Sequence, residues 1–285
     1  MEPWFTHRIL YRIFNLKVKY ILESPLRIGS GRVFKLSSPI DLPVIRIKIG
    51  DLETPYIPGS SIKGVFRSSS EYIVRSAGLP ACSRGEGCRV NLDRPLQNCL
   101  RNLYRSTTIK DVYSILQNYC IVCKVFGSGS YGSHIEFKDA YPSDSVTTGI
   151  KTGIAIDRRS GAAKRGALYT IEYVNPGSTF DGEITMINLP NYCIGLIANV
   201  IELINLGIIK IGGMKSRGFG KVRIDIVESN MTLSQNGGLI QVKEKTIVKS
   251  LDEYDEDVEY DPNDPIKYLN ACRGVWERYV QKVKT

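Results

Sequence analysis

The sequence predicts an α+β protein, because strand-type and helix-type patterns are interleaved along one chain. Alternation of apolar and polar residues indicates strands in "KVKYIL" (17–22) and "KVRIDIVE" (221–228). Apolar residues at helical spacing follow the turn at 58–61. Residues 193–206 are apolar on nearly every face, which is typical of a buried helix, and Gly207 provides a stop signal.

Composition points to a basic protein with a real core. The chain has 285 residues, 42% of them hydrophobic, and a net charge of +9. It contains no apolar run of the roughly 18 residues that a membrane span needs, and the N-terminus does not have a signal-peptide layout, so we expect a cytoplasmic protein. The segment 252–264 holds eight acidic residues and no basic ones, so the positive charge lies on the rest of the chain. That distribution suits a polyanion-binding protein, although charge for solubility alone is the alternative.

The stretch "YIPGSSIKGVFR" (56–67) predicts an anion site at the start of a helix. Ser60 and Ser61 are candidate N-caps, and Lys63 and Arg67 lie four residues apart on one face. Amide groups, hydroxyls and cations at a helix start favour a phosphate. Gly64 lowers helix propensity, which would be explained by another backbone lying close. The alternative is a capped surface helix with two solvated cations.

Five of the seven cysteines fall in residues 80–123, which we interpret as an insertion with a helix at 109–118. A C-x2-C pair supplies two ligands to a tetrahedral zinc site. The preferred zinc ligands are Cys82, Cys88, Cys120 and Cys123, and Cys99 is able to replace one of them. Buried cysteines or a disulfide are the alternatives.

Two further segments predict contacts with a ligand or with RNA. Residues 150–175 form two apolar arms around a basic centre, which indicates a long hairpin or mobile loop with a positive tip. The basic residues of that tip are Arg158, Arg159, Lys164 and Arg165. After a short predicted strand, "IIKIGG" (208–213), comes a glycine-rich loop at 212–221 that carries Lys215 and Arg217. The loop lacks the P-loop and Rossmann patterns and joins two strands, so close backbone approach to RNA is the better interpretation.

The C-terminal part and the histidines predict little chemistry. Residues 231–251 indicate a loop with one or two strands, and the acidic segment 252–264 is interpreted as a linker or solvated face. A helix is predicted at 265–284, with Ile266, Leu269, Val275 or Trp276, and Val280 on its packed side. The chain has only two histidines, His7 and His134, and His134 is expected on a strand surface rather than as a ligand.

Six stretches in this order resemble the RAMP (repeat-associated mysterious protein) superfamily. They are "ESPLRIGSG" (23–31), "PIDLPVI" (39–45), "IPGSSIKGVFR" (57–67), "KVFGS" (124–128), "GIAIDRRSGAAKRGALYTIEYVNPGSTFDGEI" (153–184) and "GGMKSRGFGKV" (212–222). The chain is most similar to the backbone subunits of type III CRISPR effector complexes, Csm and Cmr, which act in antiviral defence.

The resemblance implies an RRM-like (ferredoxin-like) core with insertions and a β-hairpin thumb. We expect a RAMP core over 1–230, including the cysteine-rich insertion at 80–123 and the thumb at 150–175, and a C-terminal extension over 231–285. The implied partners are CRISPR RNA, complementary target RNA, further copies of the chain and other RAMP subunits.

The resemblance also implies functional residues. Ser60, Ser61, Lys63 and Arg67 would hold the guide backbone, the tip residues given above would lie on the thumb, and Lys215 and Arg217 would contact RNA from the glycine-rich loop. Asp41 matches the aspartate of catalytic members, which supports cleavage of target RNA with Mg²⁺ or a similar divalent ion. One departure is Arg27-Ile28-Gly29, where the family often has H-I-G, so a histidine is absent there.

Three functions remain open at the level of sequence. The first is an RNA-guided subunit that cleaves target RNA at Asp41, and the second is the same scaffold without catalysis, with Asp41 paired to Arg27 or Arg46. The third is a CRISPR RNA-processing endonuclease, which usually needs a histidine in a catalytic motif.

Overall fold

A computed structural model describes residues 2–29, 40–82, 88–103, 105–235 and 237–284, without the side chains of residues 89, 90, 165 and 166. The predicted α+β class is confirmed. In chain order the elements are β1 (Arg12–Leu22), β2 (Arg46–Ile49), β3 (Leu52–Pro55), α1 (Gly59–Ser76), α2 (Cys88–Asn91), α3 (Asp93–Arg101), α4 (Ile109–Gln117), α5 (Ile121–Phe126), β4 (Ile135–Phe137), β5 (Tyr141–Pro142), β6 (Thr148–Ile156), β7 (Ala163–Val174), β8 (Thr179–Ile187), α6 (Asn191–Asn205), β9 (Val222–Gln235), β10 (Gly238–Gln241), β11 (Thr246–Val248), β12 (Val258–Tyr260) and α7 (Pro265–Lys284).

The central sheet is built around β1, which pairs antiparallel with β8 on one side and with β9 on the other. The strand order is β10-β9-β1-β8-β4, and β5 also pairs with β8. In β1 the even-numbered residues are buried and the odd-numbered residues are more exposed. Because successive side chains of a strand point to opposite faces, one face of the sheet packs against the helices and the other is open.

The open face of the sheet is polar, and its charges largely compensate one another. Lys17 lies 2.7 Å from Glu228, and Lys19 lies 3.8 Å from Asp181. Glu183 forms an ion pair at 2.8 Å with Lys138, which follows β4. A polyanion would gain little from cations that are already paired, so this face is a poor electrostatic match for RNA.

The helices of the core pack closely. The predicted helix at 193–206 is confirmed as α6, whose side chains are buried on nearly every face. A side chain at Gly195 would collide with the carbonyl of Cys272 in α7, so glycine permits the two helices to approach. Along the described part of the chain, no helix has both the length and the apolar run that crossing a membrane requires.

The cysteine-rich insertion contains α2, α3, α4 and α5, and α4 confirms the helix predicted there. Thr108 and Asp111 form a capping box at its start. The buried Asp93 joins the insertion to the glycine-rich bend after α5. It accepts hydrogen bonds from the Tyr119 hydroxyl (2.7 Å), the Ser128 hydroxyl (2.5 Å) and the Gly129 amide (3.0 Å). Every oxygen of this buried carboxylate is therefore partnered.

The acidic segment 252–264 was expected to be a linker or solvated face, and that interpretation is wrong for Asp255, whereas acids such as Glu253 and Asp257 are exposed. Asp255 is buried, accepts the amide hydrogens of Asn191 and Leu251, and lies 3.7 Å from the buried guanidinium of Arg12. Nearby, β12 pairs with β11. A buried cation needs an acidic partner, and this segment supplies one to β1.

Two smaller expectations also fail. Residues 208–213 form a turn and loop rather than a strand, because Ile211 bonds to Gly220 across the loop instead of extending a ladder. In α7, which confirms the predicted C-terminal helix, Ile266 is exposed, and the packed side is carried by Tyr268, Leu269, Cys272, Val275 and Trp276.

Candidate functional sites: a cysteine cluster and a loop–hairpin junction

Four cysteines of the insertion form one cluster. The sulfur atoms of Cys82, Cys88, Cys120 and Cys123 all lie within 4.8 Å of one another. The sulfur of Cys82 is 3.5 Å from those of both Cys120 and Cys123. Zn–S bonds of about 2.3 Å in a tetrahedron place sulfurs about 3.8 Å apart, so the cluster has the dimensions of a closed zinc site.

The surroundings of the cluster suit thiolate ligands. The amide of Cys88 donates to the sulfur of Cys82, and the amide of Cys120 donates to the sulfur of Cys88, each at 3.1 Å. The bonds from Cys120 and Cys88 raise the pKa of Cys123, because neighbouring thiols cannot all ionise without a cation between them. These residues could hold a metal such as Zn²⁺ with all four thiols deprotonated.

The four predicted cysteines are confirmed as one cluster that could bind a metal such as zinc, and of the two alternatives only the disulfide is contradicted. All seven cysteines are described and none forms a disulfide. Cys99 is buried in α3 but does not belong to the four-sulfur group. Cys193 and Cys272 are buried where α6 and α7 pack together, as ordinary core residues.

Arg67 turns toward this cluster. Its guanidinium donates to the carbonyl of Gly127 at 2.7 Å, to the sulfur of Cys123 at 3.3 Å and to Glu71 at 3.2 Å. Burial alone would lower the pKa of Arg67. The effects of Cys123 and Glu71 are opposite and larger together, so the pKa of Arg67 is raised. A site with four thiolates and one Zn²⁺ carries excess negative charge, which Arg67 is placed to offset.

The start of α1 differs from the expected cap. The N-cap is Pro58, without a side-chain cap bond, so Ser60 and Ser61 are not caps but lie inside the first turn. The amide of Gly59 donates to Asp139 at 2.7 Å. A side chain at Gly59 would collide with the backbone after β4, which explains why this turn needs glycine. The free amide of Gly59 therefore has a hydrogen-bond partner within the chain. Ser60, the next residue, is exposed to solvent.

Lys63 and Gly64 lie on the accessible side of α1. Burial, and then the charge of Arg67, lower the pKa of Lys63. No atom lies within 4 Å of a side chain built at Gly64, so the neighbouring backbone expected there is not found among the residues described. The helix surface beside Lys63 is thus open to an external ligand.

Asp41 is exposed and is held by the hairpin. Its carboxylate accepts hydrogen bonds from the amide (2.7 Å) and the hydroxyl (3.0 Å) of Thr170, and these bonds lower the pKa of Asp41. Arg27 and Arg46, the alternative partners predicted for Asp41 from the sequence, contact other groups. Arg46 forms an ion pair with Glu172, and Arg27 donates to the carbonyl of Leu42 at 3.4 Å.

The glycine-rich loop is attached to the base of the same hairpin. Arg217 donates to the hydroxyl of Tyr169 at 2.8 Å, and the rings of Phe219 and Tyr173 meet edge to face with centroids 5.6 Å apart. At the other side of the loop, the amide of Gly213 donates to the carbonyl of Arg27 at 2.8 Å. The loop, the hairpin base and the segment that carries Asp41 therefore form one junction.

Sequence reasoning missed the two tyrosines of this junction. In the β6–β7 ladder Tyr173 is opposite Gly149, and Tyr169 is opposite Gly153. A side chain at either glycine would collide with the facing ring, so the rings lie across the glycines. The sequence signal that could have predicted this pairing is the matching spacing of Gly-x3-Gly in one predicted arm and Tyr-x3-Tyr in the other.

The basic hairpin tip projects into solvent. Arg158, Arg159 and Lys164 are exposed, whereas the side chain of Arg165 lies outside the described atoms. Asp157 orders the turn by accepting the amide hydrogens of Arg159 and Ser160. Lys215 and Arg217 of the glycine-rich loop are also exposed.

His134 is buried, so its expected place on a strand surface is wrong. Its ring stacks on His7 at 3.8 Å, and its two nitrogens lie 2.9 Å from the Ile187 carbonyl and 2.7 Å from the Tyr131 hydroxyl. Burial, and then His7, lower the pKa of His134 to about 4. Both nitrogens are occupied, so His134 is a satisfied core residue and has no free metal-binding atom.

The fold and these sites define an antiparallel α+β protein with a cysteine cluster and a glycine-rich loop next to a basic hairpin. A family model described as the RAMP superfamily matches residues 19–223, well over half of the chain. The chain therefore belongs to the RAMP superfamily, and this membership supports a CRISPR-associated role. No curated protein matches it.

Proposed function

We propose that this chain is an RNA-binding backbone subunit of a type III CRISPR effector complex. Support comes from the motif order and from the core topology. The elements β1, α1, β4, β8, α6 and β9 follow one another, and their strands are arranged β9-β1-β8-β4. This β-α-β-β-α-β order with antiparallel neighbours supports the proposed RRM-like core. In this proposal the elements between these six, and those that follow β9 at the C-terminus, are its elaborations.

The junction of Asp41, the hairpin base and the glycine-rich loop is the observation that carries the proposal. It places a lone exposed carboxylate, the exposed Arg217 and a basic hairpin in one connected unit. A strand of RNA that follows the cationic loop would pass the carboxylate. The accessible face of α1 with Ser60 and Lys63 extends the proposed guide path, whereas the paired charges of the open sheet face make that face a weak site for phosphates.

Asp41 is the proposed catalytic residue for cleavage of complementary target RNA. One exposed carboxylate suits Mg²⁺, which takes one or two carboxylates together with waters and phosphate oxygens. When bound, the ion would supply electrophilic stabilisation of the phosphate. The chain's own part is to hold the carboxylate in place through Thr170 and to keep it ionised, because those hydrogen bonds favour the charged form.

Cleavage by assembled complexes tests this role. We expect Asp41→Ala and Asp41→Asn to leave guide and target binding nearly unchanged and to abolish metal-dependent cleavage of target RNA. Thr170→Val is the matched control, because it removes the hydroxyl bond but retains the amide donor, and we expect reduced rather than absent cleavage. If Asp41→Ala complexes cut target RNA at the wild-type rate, the catalytic assignment fails.

A non-catalytic scaffold is the second candidate, and one contact favours it. One oxygen of Asp41 already accepts two hydrogen bonds from Thr170, which is what a purely structural tie between loop and hairpin would look like. In that case Asp41→Ala would loosen the hairpin without changing cleavage. An RNA-processing role is less well supported, since His134 is buried with both ring nitrogens engaged. Release of product from precursor repeat RNA would separate it from the other two.

A further inference from the structure

Two tyrosines stack side by side next to the start of α1. Tyr56 comes three residues before Gly59, and Tyr141 forms the start of β5. Ile57 and Ala140 exchange two backbone hydrogen bonds, of 2.9 and 2.8 Å, which places the flanking tyrosines opposite each other. The ring centroids are 6.1 Å apart with an angle of 18° between the planes, so the rings are offset rather than fully overlapped.

The pair reaches the surface. Tyr141 is 39% exposed and lines a groove of about 700 Å³ on the open side of the sheet, and Tyr56 is half-buried beside it. Within the described residues neither hydroxyl of the pair forms a hydrogen bond. The outer ring surface of the pair is therefore accessible to a planar ligand.

Two acidic residues near the pair are matched by cations: Asp181 lies 3.8 Å from Lys19, and Glu183 pairs with Lys138 at 2.8 Å. Asp139 accepts the amide of Gly59, and Glu136 lines the same groove, and neither forms an ion pair among the described residues. This side of the pair therefore suits a neutral planar group rather than a phosphate. On the α1 side, the exposed Ser60 and the accessible Lys63 follow within two turns of the helix.

We propose that the Tyr56–Tyr141 pair is a stacking platform for one nucleobase of single-stranded RNA. The inference rests on the proposed RNA-binding function and adds a site that reads a base face rather than a phosphate. Every nucleobase has a planar π surface of about the size of a tyrosine ring, so such a platform holds RNA without demanding a particular sequence. The adjacent α1 surface would hold the sugar–phosphate backbone of the same nucleotide.

Equilibrium binding of a single-stranded RNA that carries 2-aminopurine tests the platform. For Tyr141→Ala and Tyr56→Ala we expect about 5- to 100-fold weaker binding and loss of the fluorescence quenching that stacking causes. Tyr141→Phe is the matched control, because it keeps the ring, and we expect binding close to wild type. The salt dependence should stay unchanged in all three variants, whereas Lys63→Ala should reduce its slope by about one.

A second measurement begins with the wild-type protein, so its first comparison does not depend on correct folding of a variant. Wild-type protein should bind RNA in which successive nucleotides are abasic more weakly than intact RNA, and Tyr141→Ala should bind the two equally. If Tyr141→Ala binds intact RNA as wild type does, with 2-aminopurine still quenched, the platform is overturned while RNA binding stands. If wild-type protein binds neither RNA, the proposed function itself fails.

Discussion

Lys63 and Arg67 occupy one face of α1, yet their surroundings differ. Arg67 is directed inward to Gly127 and to the cysteine cluster, whereas Lys63 remains accessible next to an open stretch of helix surface. Their spacing of four residues along the helix does not distinguish the two cations. Their contacts indicate that Lys63 is the phosphate ligand and that Arg67 chiefly stabilises the join between α1 and the insertion; its direct contact with RNA stays a prediction from sequence.

Replacement of each cation by alanine should separate these roles. Lys63→Ala should weaken RNA binding, with little dependence on sequence, and reduce the slope of log affinity against log salt by about one. Arg67→Ala should lower the free energy of unfolding by about 1–3 kcal/mol, since it leaves buried acceptors without their donor. Titrations at several salt concentrations and urea unfolding provide the measurements, with the exposed Lys110→Ala as control. Equal salt slopes for Lys63→Ala and wild type would contradict the assignment.

His134 predicts a pH dependence of stability. Its pKa is about 4 in the folded protein and about 6.5 when exposed, so the unfolded chain binds more protons between these values. The contribution of neutral His134 to the free energy of unfolding is therefore fully present above about pH 6.5 and is lost as pH falls toward 4. Between pH 7.5 and pH 5 the loss should be about 2 kcal/mol. Urea unfolding of wild type and His134→Gln at both pH values measures it, because other acid-sensitive groups are common to the two proteins. An equal pH dependence in both would show that His134 is not the cause.

At the scale of elements, the cysteine insertion and α1 are joined through a small number of contacts. The four cysteines come from the segment before α2, from the start of α2, and from α5 and its N-cap, and Arg67 links them to α1. A metal ion there would add a further link among three segments whose buried residues already belong to the hydrophobic core. The hairpin and the glycine-rich loop are joined in a comparable way, by Tyr169 and Tyr173.

Metal content tests the insertion directly. We expect about one zinc ion per chain in protein prepared without chelator, as measured by mass spectrometry. Cys123→Ser should lose the metal and lower the melting temperature, because zinc binding contributes to folding free energy. Cys99→Ser is the matched control, since it is a buried cysteine of the same insertion outside the cluster, and it should retain the metal. Zinc-free wild-type protein, or equal loss in both variants, would refute the site.

Across the whole protein, the acidic segment is anchored to the core by Asp255, which pairs with Arg12 of β1. Its neighbour Glu256 binds both Arg278 and Lys282 of α7. Among the described side chains, the cations of the hairpin tip and Lys215 and Arg217 of the glycine-rich loop form none of the ion pairs. The charge separation visible along the sequence is therefore preserved in the folded protein.

Asp255→Ala should lower the free energy of unfolding by about 3–5 kcal/mol at pH 7.5, because it leaves the buried Arg12 without its partner. Burial raises the pKa of Asp255 to about 6 against the opposing effect of Arg12, so the carboxylate is mostly ionised at that pH. Glu253→Ala in the same segment removes an exposed acid and should change stability by less than about 0.5 kcal/mol. Similar effects of the two substitutions in urea unfolding would show that the segment is solvated after all.

Several features could be predicted from the order of residues alone. Periodicity predicted α1, α6 and α7, the spacings of Cys82, Cys88, Cys120 and Cys123 predicted the cluster, and the motif order predicted the superfamily. Each of these signals is a short pattern, or an order of short patterns, along the chain, so no tertiary information is needed to recognise it.

The partner that each of the following side chains contacts became known from the folded protein alone. Folding directed Arg67 to Cys123, placed Asp139 at the start of α1, buried Asp255 against Arg12 and brought Tyr56 beside Tyr141. Each of these contacts joins residues far apart in the chain. Their energies depend on burial and on distance in space, which a periodic pattern does not contain.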